Sequence, residues 1–255
     1  MTISRKTWDK YIKLLGAINE TAAREFTLYI EHNGTDIFDV NYRDSNGNNI
    51  IDLACYLANR YGNASAAVSA QMFEAISELS GVDVPYPELE PPPSYDEVAK
   101  TINGVLKVSR NTEELTGAVT RLVKRTGLRT TRRNAKKYGA EYAWIPNGDT
   151  CAWCVMLAGK GWQTDRSGQP EHLHSNCDCT YAVRYNSDTK YAGYDPEEYA
   201  DQYRDAEGST RDEKLNSMRR KYYAQNREEI LAQKADAYAK RQELNSSSAE
   251  EMDIN

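Results

Sequence analysis

The sequence predicts an α+β fold that is predominantly α: a helical N-terminal half, a small cysteine- and histidine-knit β-hairpin module, and charged C-terminal helices. Three observations carry this. Apolar residues recur at three-to-four spacing over two long stretches before residue 80, four of the five cysteines fall between residues 151 and 179, and the region beyond Pro196 is densely charged with few apolar points.

Over residues 8–29 the apolar positions Trp8, Tyr11, Ile12, Leu15, Ile18, Ala22, Phe26 and Tyr29 line one helical face. The polar run 32–49, ending in Asp44-Ser45-Asn46-Gly47-Asn48-Asn49, reads as a loop. A second helix follows with Ile50, Leu53, Leu57, Val68, Met72, Ile76 and Leu79, and Gly81 stands where a helix stop belongs. Residues 1–81 form the N-terminal helical region.

Residues 82–93 hold Pro85, Pro87, Pro91, Pro92 and Pro93, which cannot continue a helix and favour an extended connector, so a domain boundary is expected there. The third segment, 94–194, opens with a helix capped by Ser94 and Glu97, then a second one capped by Asn111 with Glu114. Short strands are expected at 141–145 and 180–185, on either side of the cysteine cluster, the second alternating Tyr181, Val183 and Tyr185. The fourth segment, 195–255, reads as charged helix with Tyr199, Tyr203, Leu215, Met218, Tyr222, Ile230, Leu231 and Tyr238 as its apolar points, and 246–255 as a frayed acidic tail.

The cysteine cluster has the form C-x2-C-x17-H-x-H-x2-C-x-C, built from Cys151, Cys154, His172, His174, Cys177 and Cys179. Two close ligand pairs separated by a polar loop are how a short chain surrounds a tetrahedral zinc ion. Six candidates exceed the four ligands such a site uses. Cys151, Cys154, His174 and Cys177 rank first, Cys179 is able to replace His174, and His172 is least suited. A thiol-rich hairpin without metal is the competing reading. A catalytic thiol needs a base and an orienting group, and the sequence offers no third group at a recognisable spacing, so no catalytic residue is assigned.

At these residues the sequence resembles a known family, the minor head (head morphogenesis) proteins of tailed bacteriophages named after protein F of phage Mu. The resemblance lies in Gly148-Asp149-Thr150-Cys151-Ala152-Trp153-Cys154-Val155-Met156-Leu157-Ala158-Gly159-Lys160-Gly161 and His174-Ser175-Asn176-Cys177-Asp178-Cys179. It extends diffusely over residues 50–220, through Arg60-Tyr61-Gly62 and Tyr142-Ala143-Trp144-Ile145-Pro146. Trp153 stands where the family more often has Phe or Tyr and Gly159 where it often has Ser, and His172 is outside its pattern. The resemblance implies a minor capsid protein near the portal vertex, with the portal protein, a major capsid or scaffold protein and packaged DNA as partners, located in the virion and, during assembly, in the host cytoplasm. A zinc-stabilised nucleic-acid-binding protein and a hydrolase or nuclease are the alternatives from other classes.

The chain has 255 residues and a net charge of −6, and the charge is segregated. Residues 1–100 carry 8 basic and 15 acidic groups, whereas residues 101–145 carry 10 and 3. Arg121, Arg125, Arg129, Arg132 and Lys136 fall on one stripe of the expected helix, a positive face suited to DNA phosphate or an acidic portal surface. The bland reading is neutralisation by the chain's own acidic segments. Cys55 sits on an apolar helix face and reads as a core thiol. No run approaches the roughly 18 apolar residues of a membrane span, and the N-terminus lacks an apolar signal core, so no membrane partner is expected.

Overall fold

A computed structural model describes residues 1–164 apart from 40, 85, 148 and 149, residues 179–232, and residues 235, 236 and 239. Pro85, Gly148, Asp149, His172, His174, Cys177, Tyr238 and the tail 246–255 lie outside the described residues. Helix dominates, as expected. The elements are β1 (Thr2–Ile3), α1 (Arg5–Asn33), a 3₁₀ turn (Thr35–Phe38), α2 (Ile50–Leu79), α3 (Tyr95–Val108), α4 (Thr112–Lys137), β2 (Glu141–Ile145), α5 (Ala152–Ala158), β3 (Thr180–Arg184), β4 (Lys190–Tyr191), α6 (Pro196–Arg204) and α7 (Arg211–Gln225).

Helix starts follow local capping chemistry. Ser4 accepts from the Thr7 amide to begin α1, four residues before Trp8, the first apolar position of the periodic run. Asn49 and Asp52 form a reciprocal capping box on α2, and Gly81, with φ +68°, ends it in a conformation few other residues adopt. Ser94 caps α3 through the Glu97 amide, whereas Asn111 caps α4 through the Glu113 amide and not through a pair with Glu114. The expected loop at 32–49 contains the 3₁₀ turn, which buries Ile37 and Phe38.

Helices α2 and α4 make the most extensive contact in the fold, and α1 packs across both. Small residues permit the approach: Gly62 meets Thr126, and Gly127 faces Ser65 and Ser69. A Cβ on Gly127 would stand 2.4 Å from Ser65 Oγ and 3.1 Å from Ser65 O, so the backbones cannot hold this spacing with a larger residue there. The buried threonines of α4 return their hydroxyls to their own helix: Thr126 to Leu122 O, Thr130 to Thr126 O. Thus a polar-looking helix is buried without orphaned hydroxyls at these positions.

The proline segment is a strap. Buried Asn134 of α4 acts as a peptide surrogate, donating to Glu88 O and accepting from the Glu88 amide, both at 2.8 Å. Thr130 accepts from the Glu90 amide and Tyr138 donates to Tyr86 O. Arg133 pairs with Glu88 at 2.8 Å and Glu90 at 3.2 Å, and Lys137 with Glu88 at 2.6 Å. The expected connector therefore lies clamped along α4, and residues before and after it share both buried clusters: Trp8 and Phe73 with Tyr142 and Trp144, and Phe26 and Leu57 with Val119 and Leu122.

Strands β2 and β3 pair antiparallel, with Glu141 opposite Arg184 and Ile145 opposite Thr180. A second, parallel pair was not expected: β1 lies beside β4, drawing the N-terminus onto residues 190–191. Beyond Pro196 the described residues are mostly helical, in α6 and α7, and Leu215 is the buried residue of α7. Among the described residues no helix is long and apolar enough to cross a membrane.

Replacing Gly127 by Ala should cost about 1–3 kcal/mol of unfolding free energy despite the better helix propensity of Ala, because the methyl group overpacks the crossing. Adding Ser65→Ala should recover part of that loss, since Ser65 Oγ is the closest obstacle while the carbonyl remains. Denaturant titration of the three variants measures it; a Gly127→Ala protein at least as stable as the parent would contradict the packing argument.

Candidate functional site

The first cysteine pair does not sit on a β-hairpin arm, which corrects the expected placement. Cys151 is the N-cap of α5 and Cys154 lies in its first turn, inserted in the long span between β2 and β3. The Cys154 amide donates to Cys151 Sγ at 3.4 Å, so the helix start itself orients the first sulfur. Four apolar residues in the run Val155-Met156-Leu157-Ala158 drive α5 against the sheet, which overrides the hairpin suggested by ligand spacing alone. Cys179 directly precedes β3. Cys154 and Cys179 are buried in one cluster, and Cys151 packs on its edge. Among the described residues no three His, Cys, Asp or Glu side chains stand together as a ligand set. His174 and Cys177, the other two expected ligands, lie outside those residues, as does His172.

Aromatic side chains frame this region. Tyr181 receives Tyr142 and Trp144 edge-on, with ring centroids 5.0 and 5.1 Å away. Trp8 packs edge-on against Tyr191 and donates from Nε1 to Asn147 Oδ1, so α1 grips the chain just after β2. The Tyr191 hydroxyl donates to Val183 O at 2.7 Å, and burial pushes it above the ordinary phenol range. Trp162 packs on Tyr191 and Tyr194 with the Arg184 guanidinium over its ring, and Arg211 of α7 covers Trp153. Both tryptophans flanking the cysteines thus pack the protein itself.

Helix α6 is seated by Gly159 at the end of α5. A Cβ there would stand 2.7 Å from the Ala200 amide nitrogen and 2.8 Å from its Cα, so the absence of a side chain lets two backbones touch. Tyr194 completes the joint by donating to Ala158 O at 2.9 Å.

The expected basic stripe is distributed differently from a free positive face. Arg125 pairs with Glu97 of α3 at 2.6 Å, and Arg129 approaches the same carboxylate at 3.9 Å. Arg133 and Lys137 are held by the strap. Arg121 is half-buried, and desolvation pulls its guanidinium below the ordinary arginine value, with Glu114 acting in the opposite sense. Arg132 is partly buried and Lys136 is exposed. The counterions Glu88, Glu90 and Glu97 were not singled out from sequence; the acidic excess of residues 1–100 was the signal that could have found them.

Between α1, α2 and α4 lies a cavity of about 290 Å³ that reaches Asn147 and Cys179. Ser65 and Ser69 line it, and Asn19 Oδ1 is buried with no hydrogen-bond partner among the described residues. Asn19, Ser65 and Ser69 together offer the polar partners that an ordered water needs, and such a water would satisfy that oxygen.

Gly159→Val should unseat α6 while leaving α1 to α4 folded, because the clash is with backbone that has no rotamer to yield. Limited trypsin digestion reads this as faster cleavage after Lys160 and Arg204; unchanged cleavage would mean that α6 docks without the glycine contact.

A sequence-family profile described as "VG15 protein" matches residues 2–206, which covers α1 through α6 and the whole cysteine region. A search of curated proteins and a search of solved structures each gave no match. The matched description is not that of the minor head family which the cysteine motif resembles, but both point to viral genes. The chain belongs to the VG15 protein family, a viral gene family.

Proposed function

We propose that this chain is a phage or prophage minor capsid protein that acts in head morphogenesis at the portal vertex. The observation that carries the reading is membership of a viral gene family over residues 2–206, joined to the minor-head likeness of residues 148–179. Its partners are then the portal protein and a major capsid or scaffold protein, and its location is the virion. The reading assigns no catalytic role. An assembly protein works through surfaces, and α7, with exposed Tyr222 and Tyr223 and one buried residue, offers such a surface. Packaged DNA is the weaker candidate partner, because Arg125, Arg129, Arg133 and Lys137 are already engaged by carboxylates of the same chain.

The reading includes a structural zinc ion held by Cys151 and Cys154 with two of His174, Cys177 and Cys179. An amide directed at Cys151 Sγ favours the thiolate form that a metal ligand requires. The ion would tie α5 to the start of β3, joining parts of the chain that are distant in sequence.

Mass spectrometry of purified particles should find this chain beside the portal protein at low copy number. Particles that assemble and package normally from a genome lacking it, with no trace of it in wild-type particles, would overturn the assembly reading. For the metal, protein purified under reducing conditions should carry about one zinc per chain, and Cys154→Ser should lose it while keeping most helical circular dichroism. Metal-free protein whose thiols all react without unfolding would remove zinc from the account.

A further inference from the structure

Arg121 differs from its neighbours on α4. It is half-buried, forms no ion pair or hydrogen bond among the described residues, and lines a groove of about 600 Å³ between α3 and α4. Lys100, Gly104 and Val108, at four-residue steps, and Val105, three before Val108, share one face and form the α3 wall. Lys100 likewise has no ion pair among the described residues. Val108 is 87% exposed at the mouth. A Cβ built on Gly104 would meet nothing within 4 Å, so the groove is open at its middle.

The charge of the groove decides what it suits. Lys100, Arg121 and Arg125 face Glu97 and Glu114, which leaves one net positive charge. Duplex DNA presents one negative charge per about 1.7 Å of axis and gains affinity by engaging several cations together. One net charge, flanked by two carboxylates, does not make such a track. A single carboxylate is different: it takes two parallel N–H···O bonds from one guanidinium, and Arg121 donates no hydrogen bond among the described residues, Glu114 acting on it only through its charge. Apolar neighbours on the same segment would cover Val105 and Val108, which a phosphate chain would leave wet.

We propose that the α3–α4 groove docks a segment of a partner protein that presents one carboxylate beside apolar side chains. The proposal deepens the assembly reading by giving the chemistry of one contact, and rests on that reading only for which protein supplies the segment. Arg121 binds the carboxylate, Lys100 steers it, and Gly104 leaves room for the backbone.

The test uses the full chain, isotope-labelled for amide chemical shifts, and a blocked Leu-Glu-Leu peptide as probe. Saturable shifts should be confined to α3 and the first half of α4, and a Leu-Gln-Leu peptide should bind about tenfold more weakly. Arg121→Gln should weaken Leu-Glu-Leu by about tenfold. Gly104→Trp, which fills the middle of the groove, should abolish the shifts, whereas Gly104→Ala should keep them and the fold. No saturable shift, or shifts indifferent to Arg121→Gln, would overturn the proposal. Stronger perturbation of the same amides by a short DNA duplex at the same salt would also overturn it, in favour of phosphate. None of these outcomes depends on finding the chain in particles, so failure of the groove and failure of the assembly reading are separate results.

Discussion

The close crossing of α2 and α4 is the constraint on which the other elements depend. Gly62, Ser65, Ser69, Thr126 and Gly127 bring two helix backbones together more tightly than large side chains allow. This crossing then presents surfaces on both sides. α1 covers one with Phe26 and Ile30, the proline strap follows α4 along Thr130 and Asn134, and the far ends of both helices receive the β2–β3 sheet through Phe73, Leu128 and Ala135. Small buried hydroxyls are acceptable because α4 can return them to its own carbonyls; an asparagine is acceptable at position 134 because the strap offers it a peptide to mimic. The polarity that makes α4 look like a surface helix in the sequence is therefore the polarity that lets it serve as the central one.

Much of this fold is legible in the residues. The apolar spacing of α1 and α2, the caps at Ser94 and Asn111, the stop at Gly81 and the strands at 141–145 and near 180 all follow from local rules, because each is decided within a few residues. What is not legible depends on distant partners. Nothing local marks Thr2 and Ile3 as a strand, since their pairing residues lie at 190–191. The proline run reads as a spacer because its hydrogen bonds go to α4 side chains rather than to neighbours in sequence. Ile37 and Phe38 were hidden by the polar residues on either side.

The cysteine region shows the same division. Spacing grouped Cys151, Cys154, His174 and Cys177, with Cys179 able to replace His174; of the described cysteines, Cys154 and Cys179 share a buried cluster. Spacing did not reveal that Cys151 begins a helix, because the apolar run after Cys154 is short and flanked by strand-like sequence. The basic stripe was legible as charge but not as contact. Whether the cations of residues 121–137 face solvent or face Glu88, Glu90 and Glu97 is fixed by how the strap and α3 lie on α4, which no count of residues conveys.

Helix α4, despite its composition, is the interior pillar of the fold, and native-state hydrogen exchange reads this out residue by residue. Amides at 119–131 in α4 and 58–70 in α2 should exchange only through global unfolding, as the slowest set in the chain, with those of α7 orders of magnitude faster. Amides of α4 exchanging as fast as those of α7, while β2 and β3 remain protected, would contradict the account.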